Sequence, residues 1–187
     1  TPERGDMMYR YEHSVRVAEN AAAISEAEGL PKDDLTIACL LHDVGYRECQ
    51  DDFVRHQFYS ADISKHYLEN MGYRSDSLQE MIRGIALHNL TDKLPEDMTV
   101  FQMSIRDCDD IDRFDMIRTS MLLGKCVNEK TNEEIIASCS HAIDVTKWIM
   151  SLQRGTRTAQ NMINEKCQKR IALLQDVLVQ ANKGFQY

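Results

Sequence analysis

Four of the chain's six histidines stand where they could share a metal ion. His42 and Asp43 close the apolar run Ala38-Cys39-Leu40-Leu41 and are followed by Val44 and Gly45. Successive helical residues point about 100° apart, so a polar pair at the end of a core helix needs partners on two sides. Taken alone, the pair is better read as a satisfied core histidine with a capping aspartate. The surroundings widen the choice: His13 in Arg10-Tyr11-Glu12-His13, His56 in Arg55-His56-Gln57, and His88 in Ala86-Leu87-His88-Asn89. An acidic run then offers Asp107, Asp109, Asp110 and Asp112. Imidazoles and carboxylates delivered by separate helices into a bundle interior make a metal site. Mixed N and O ligands suit Fe, Mn, Co, Ni or Zn, and the lack of thiolates argues against a structural zinc. Two such ions about 3.5–4 Å apart can activate water and stabilise the oxygens of a phosphoryl displacement.

These residues need helices to position them. Gly (8) and Pro (3) are scarce, which favours long helices over many short strands. Periodicity predicts a first helix over 7–28, closed by Gly29-Leu30-Pro31. A second, capped by Asp33 or Asp34, runs over 35–44 and stops at Gly45. Asp51 or Asp52 is expected to cap a third, ending at 70–72, and Ser75 or Asp76 to open a fourth that reaches His88. Pro95 fits the first turn of a fifth that enters the acidic run. A short helix is expected over 115–124. Thr131 with Glu134 forms a capping box for a long helix to about residue 154, where Gly155 breaks it. A last helix covers 158–182, with Ile171, Leu174 and Leu178 on one core-facing side. His66 is expected at the surface and His141 in a structural role.

Apolar (43%) and charged (28%) content is that of an ordinary globular chain, and 187 residues suffice for a substantial core. A net charge of −8 makes a nucleic-acid polymer or an anionic membrane a poor partner. It leaves room for a small phosphorylated substrate, because a bound metal supplies local positive charge. Neither a membrane span nor a signal peptide is visible, so a cytoplasmic protein is expected. The six cysteines form no CxxC pair and are expected to be reduced thiols packed as small hydrophobes.

The ordered set H…HD…H…H…D resembles the HD-domain superfamily of metal-dependent phosphohydrolases. RYEHSVRVAENA resembles its first helix, ACLLHDVGYRE its signature and SIRDCDDIDRFD its closing acidic motif, over residues 9–115. The resemblance implies an all-α HD-domain helical bundle, over 1–130; the helix pattern adds a C-terminal helical hairpin, 131–187, packed on the same domain and carrying no motif of the family. It implies that His13, His42, Asp43 and Asp109 hold a first metal, and that Asp43 bridges to a second held by His56 and His88. Members lacking the two middle histidines bind one ion, so one or two divalent transition-metal ions are expected here. Asp109 matches the second aspartate of the family's closing motif, with Asp107, Asp110 and Asp112 as the alternatives; those three are rather expected to be solvated or capping.

The implied reaction is hydrolysis of a small phosphoester, expected to be a nucleotide, by a metal-bound hydroxide, with His42 and Asp43 at its centre. Arg10, nearly on the face of His13, Arg47 after the signature and Arg106 in the closing motif are the candidate phosphate contacts. Several relatives carry a lysine where this chain has Tyr46. The Gly-Tyr-Pro motif of the cyclic-dinucleotide branch is absent. Di-iron oxygenases of the same fold share these ligand types, and a nucleotide-binding sensor without turnover is a further alternative. The hairpin is a candidate surface for a homo-oligomer.

Overall fold

The computed structural model describes residues 4–49, 53–90 and 94–183, and among these it is all-α, with eight helices and no strand. Two compact units divide the chain: Thr1–Asp112 with Arg154–Ala159, and Arg113–Gln153 with Gln160–Tyr187. The 130/131 boundary expected from sequence falls inside the second. No described helix is long and apolar enough to cross a membrane.

The first unit holds α1 (Arg4–Glu28), α2 (Lys32–Leu41), a 3-10 turn (Val44–Arg47), α3 (His56–Asn70), α4 (Leu78–Leu87) and α5 (Val100–Arg113, up to Asp112). Each helix buries a stripe at three- and four-residue spacing, and the site histidines continue those stripes. His13, Val17, Ala21 and Ile24 share the buried face of α1; Leu35, Ala38, Cys39 and His42 that of α2; Met81, Ile85 and His88 that of α4. Burying this apolar face therefore carries each imidazole inward.

Helix ends depart from the expected boundaries in physically legible ways. α2 begins at Lys32, with Asp33 and Asp34 in its first turn. Asp34 does not cap it; it accepts hydrogen bonds from Tyr73 Oη and Ser75 Oγ, tying α2 to the loop before α4. α5 begins at Val100, beyond Pro95, because Thr99 and Gln102 cap each other reciprocally. The helix expected over 115–124 continues to Glu129 through Gly124. The proposed caps Asp51 and Asp52 lie outside the described residues. α1 and α3 are followed by Gly29 and Gly72, both at φ 70°, which glycine adopts without a Cβ penalty.

Asp34→Ala is expected to cost roughly 1–2 kcal/mol, because it removes a charged acceptor shared by two donors. Burial raises the Asp34 pKa, but the Tyr73 and Ser75 hydrogen bonds outweigh it and hold it below its ordinary value. A depressed carboxyl stabilises the fold above its unfolded pKa and loses that contribution as pH falls through the folded one. Urea titrations at pH 7 and pH 3 should show the variant's deficit at pH 7 and little of it at pH 3.

Gly45 lies where the turn after Asp43 meets α3. Its N–H donates to Ser60 Oγ (2.9 Å), and a Cβ there would overlap the backbone of Tyr59 and Ser60. Gly45→Ala should destabilise by about 1–3 kcal/mol through overpacking. A thermal melt would check this, and an unchanged midpoint would show that the turn can slide away from α3.

In the second unit, α6 (Met116–Glu129), α7 (Asn132–Ser151) and α8 (Arg157–Lys183, from Gln160 on) share a core of Cys126, Ile135, Cys139, Ile143 and Leu174, flanked by Ile171 and Leu178. The Thr131–Glu134 capping box opens α7 as expected. All six cysteines are free and buried.

Candidate metal centre

The carbonyls that end a helix lack intrahelical partners. α2 and α4 resolve this in the same way: the residue after each helix is a histidine whose Nδ1 donates back to a terminal carbonyl. His42 donates to Cys39 (2.6 Å) and His88 to Ile85 (2.7 Å). A carbonyl can only accept, so Nδ1 carries the proton and Nε2 presents a lone pair to the interior. His13 is oriented by a carboxylate, its Nδ1 lying 2.6 Å from Asp112 Oδ2. Asp112 is in turn held by Arg16 through Nε (2.5 Å) and Nη2 (3.1 Å). An acceptor that fixes the ring and tautomer of an imidazole is the arrangement that supports metal-ligating histidines.

The four Nε2 atoms converge on Asp43. Its Oδ1 lies 3.2 Å from His56, 3.5 Å from His42 and 3.5 Å from His88, while Oδ2 lies 3.6 Å from His13. Asp109 Oδ1 adds 3.2 Å to His13 and 3.9 Å to His42. Three overlapping groups have ligand atoms within 4.8 Å of one another: His13, His42 and Asp43; His42, His88 and Asp109; Asp43, His56 and His88. All six residues proposed from sequence thus come together.

Two features fit a cation at this centre. His42 Nε2 is completely buried and has no hydrogen-bond partner. The Nε2 atoms of His56 and His88 face each other at 3.2 Å. The C-terminal ends of α2 and α4, where partial negative charge gathers, also close on the site. Electrostatics agree. Burial would lower the His13 pKa, but Asp109 and Asp112 push it up to about 9. Burial lowers His42. Against the cost of burial, the surrounding histidines hold Asp43 well below the usual carboxylate range.

Asp107, Asp110 and Asp112 correct the expectation of solvated or capping residues: all three are buried. Asp112 orients His13. Asp107 and Asp110 share the buried Arg154, whose Nη1 lies 3.3 Å from Asp107 Oδ1 and 2.6 Å from Asp110 Oδ2; the Gly155 N–H donates to Asp107 Oδ2 (2.8 Å). Burial lifts the Asp107 pKa to about 6 despite these donors. His66 is exposed on α3 and His141 is exposed on α7.

Tyr46, Arg16 and Arg154 are the participants that spacing did not reveal; Asp112 was among the aspartates the acidic run offered, but not as a partner of His13. Tyr46 stacks on His56 (centroids 4.1 Å, 16° between planes) and carries the Arg10 guanidinium 3.6 Å above its ring. Arg16 could have been found, since it lies one helical turn after His13; Arg154 lies too far along the chain. Arg10, Tyr46 and Arg47 line a cavity of about 280 Å³ that opens on Asp43, and Arg106 does not.

Comparison with known families matches the HD domain model to residues 10–117. No curated protein and no solved structure matches the chain.

Proposed function

The chain belongs to the HD-domain family, whose members are mostly metal-dependent hydrolases, and on that premise we propose that it hydrolyses a small phosphoester, with a nucleotide as the first candidate. The observation that carries this reading is the convergence of four imidazole Nε2 atoms and two carboxylates on one buried point beside a cavity with two arginines. His13, His42, Asp43 and Asp109 would hold one divalent ion, and Asp43, His56 and His88 a second. Bound ions of this kind supply a water acidified to near neutrality and a Lewis acid for phosphoryl oxygens.

The protein's own part is positional. Asp43 spans both ligand groups and would set their separation. The carbonyls of Cys39 and Ile85 and the carboxylate of Asp112 keep the Nδ1 protons outward, so the imidazoles cannot turn their lone pairs away. Arg10, steadied over Tyr46, and Arg47 supply cationic donors on the cavity side of Asp43, where phosphate oxygens would lie.

The test is release of inorganic phosphate from nucleotides, sugar phosphates and an aryl phosphate, with Mn, Co, Ni, Fe, Mg or Zn added. Turnover that needs the metal and stops on chelation is expected. Full metal occupancy without release from any ester would refute the reading, and substrate-dependent oxygen uptake by the iron-loaded protein would replace it with oxidation.

A further inference from the structure

The cavity beside Asp43 has a composition that bears on which ester it accepts. Among the described residues that line it, two carry cationic groups, Arg10 and Arg47. The remaining wall is largely apolar: Val15, Leu40 and Val44, with Tyr11 and the edge of Tyr46, whose faces are taken by His56 and Arg10. Tyr11 is 67% exposed, Leu40 40% and Val44 36%, so three large apolar side chains gather at one mouth. Scattered exposed apolar residues mean little, but a cluster rimmed by cations beside a polar centre marks a ligand surface. A polyol placed there would give up hydrogen bonds to water and regain few. The volume, about 280 Å³, is near the bottom of the range for small-molecule pockets, roughly 300–1,000 Å³, and suits one ring system with its phosphate.

We propose that this cavity receives the alcohol portion of the substrate, and that the substrate is a phosphate ester carrying a planar, largely apolar ring, in preference to a polyol phosphate. The inference rests on the phosphohydrolase reading for the ester, and on the cavity alone for the ring. Leu40 and Val44 are its specificity-determining residues: they touch the ring and leave the phosphate to the arginines.

The experiment is calorimetric binding of phenylphosphonate and methylphosphonate to the Mn²⁺-loaded full chain, with phenyl phosphate hydrolysis measured on the same preparation. The wild type should bind the phenyl compound about tenfold more tightly, as expected for burying one ring face. The double variant Leu40→Asn/Val44→Asn, checked for folding by circular dichroism, should lower that preference below about threefold through the phenyl compound alone. Tyr67→Ser, an exposed change on α3 outside the cavity, should retain the full preference. Equal binding by the wild type, or a preference that survives the double variant, overturns the inference even if phenyl phosphate is hydrolysed. A preference that the double variant abolishes supports it; absence of hydrolysis in that same experiment counts against the phosphohydrolase reading only.

Discussion

Asp43→Ala should lose both metal ions and lower kcat/KM by roughly a thousandfold or more. One carboxylate faces four imidazoles, with Oδ1 within 3.5 Å of His42, His56 and His88 and Oδ2 3.6 Å from His13. Its removal takes an anionic ligand from each ligand group at once and erases the element that would set their separation. Asp109→Ala should be milder in stoichiometry, because the group of Asp43, His56 and His88 does not include Asp109. Metal content after dialysis, measured beside phosphate release, separates the two: none for Asp43→Ala and one retained ion for Asp109→Ala. Full metal content and unchanged turnover in Asp43→Ala would rule out the proposed centre. The apo forms should be compared by circular dichroism, so that loss of metal is not mistaken for loss of fold.

The second large effect is expected at a residue that is not itself a proposed ligand. Arg154→Leu should destabilise the protein by about 3–5 kcal/mol, the usual consequence of removing one partner from a buried charge group. It would leave Asp107 and Asp110 buried without the guanidinium that now lies 3.3 Å and 2.6 Å away. Neutralising the two carboxylates should restore most of the loss, so Arg154→Leu/Asp107→Asn/Asp110→Asn should be more stable than Arg154→Leu alone. Denaturant titration of the wild type, the single variant and the triple variant reads this directly. A single variant within about 1 kcal/mol of the wild type would show that water already reaches the two carboxylates.

These two sites differ in how far the sequence announces them. The imidazoles were legible because a histidine that continues an apolar helical stripe, as His42 follows Leu35, Ala38 and Cys39, must be buried with the stripe. Their assignment to shared ions came from the resemblance of their order, H…HD…H…H…D, to the HD-domain family. The acidic run was ambiguous for a physical reason. Four aspartates within six residues read as solvated until their counter-charges are known, and those come from α1 through Arg16 and from Arg154, 44 residues after Asp110. No local pattern encodes such a pairing. Tyr46 registered only as a departure from a family lysine, because stacking on His56 depends on how the turn after Asp43 meets α3. Boundaries failed where one side chain decided them: Thr99 with Gln102 began α5 beyond Pro95, and Asp34 bonded to Tyr73 in place of its own helix.

The two helix-ending histidines also link metal occupancy to breathing of the backbone. The imidazoles of His42 and His88 each hold a terminal carbonyl through Nδ1 while Nε2 points to the centre. Fraying of the last turn of α2 or α4 must swing a ligand out, and an ion held by that ligand resists the fraying. Amide hydrogens in these two last turns should therefore exchange more slowly once metal is added, and in step with each other although the helices are separated along the chain. The solvent-facing middle of α3 should not follow. Slowing confined to one helix would mean that the ligand groups fill independently.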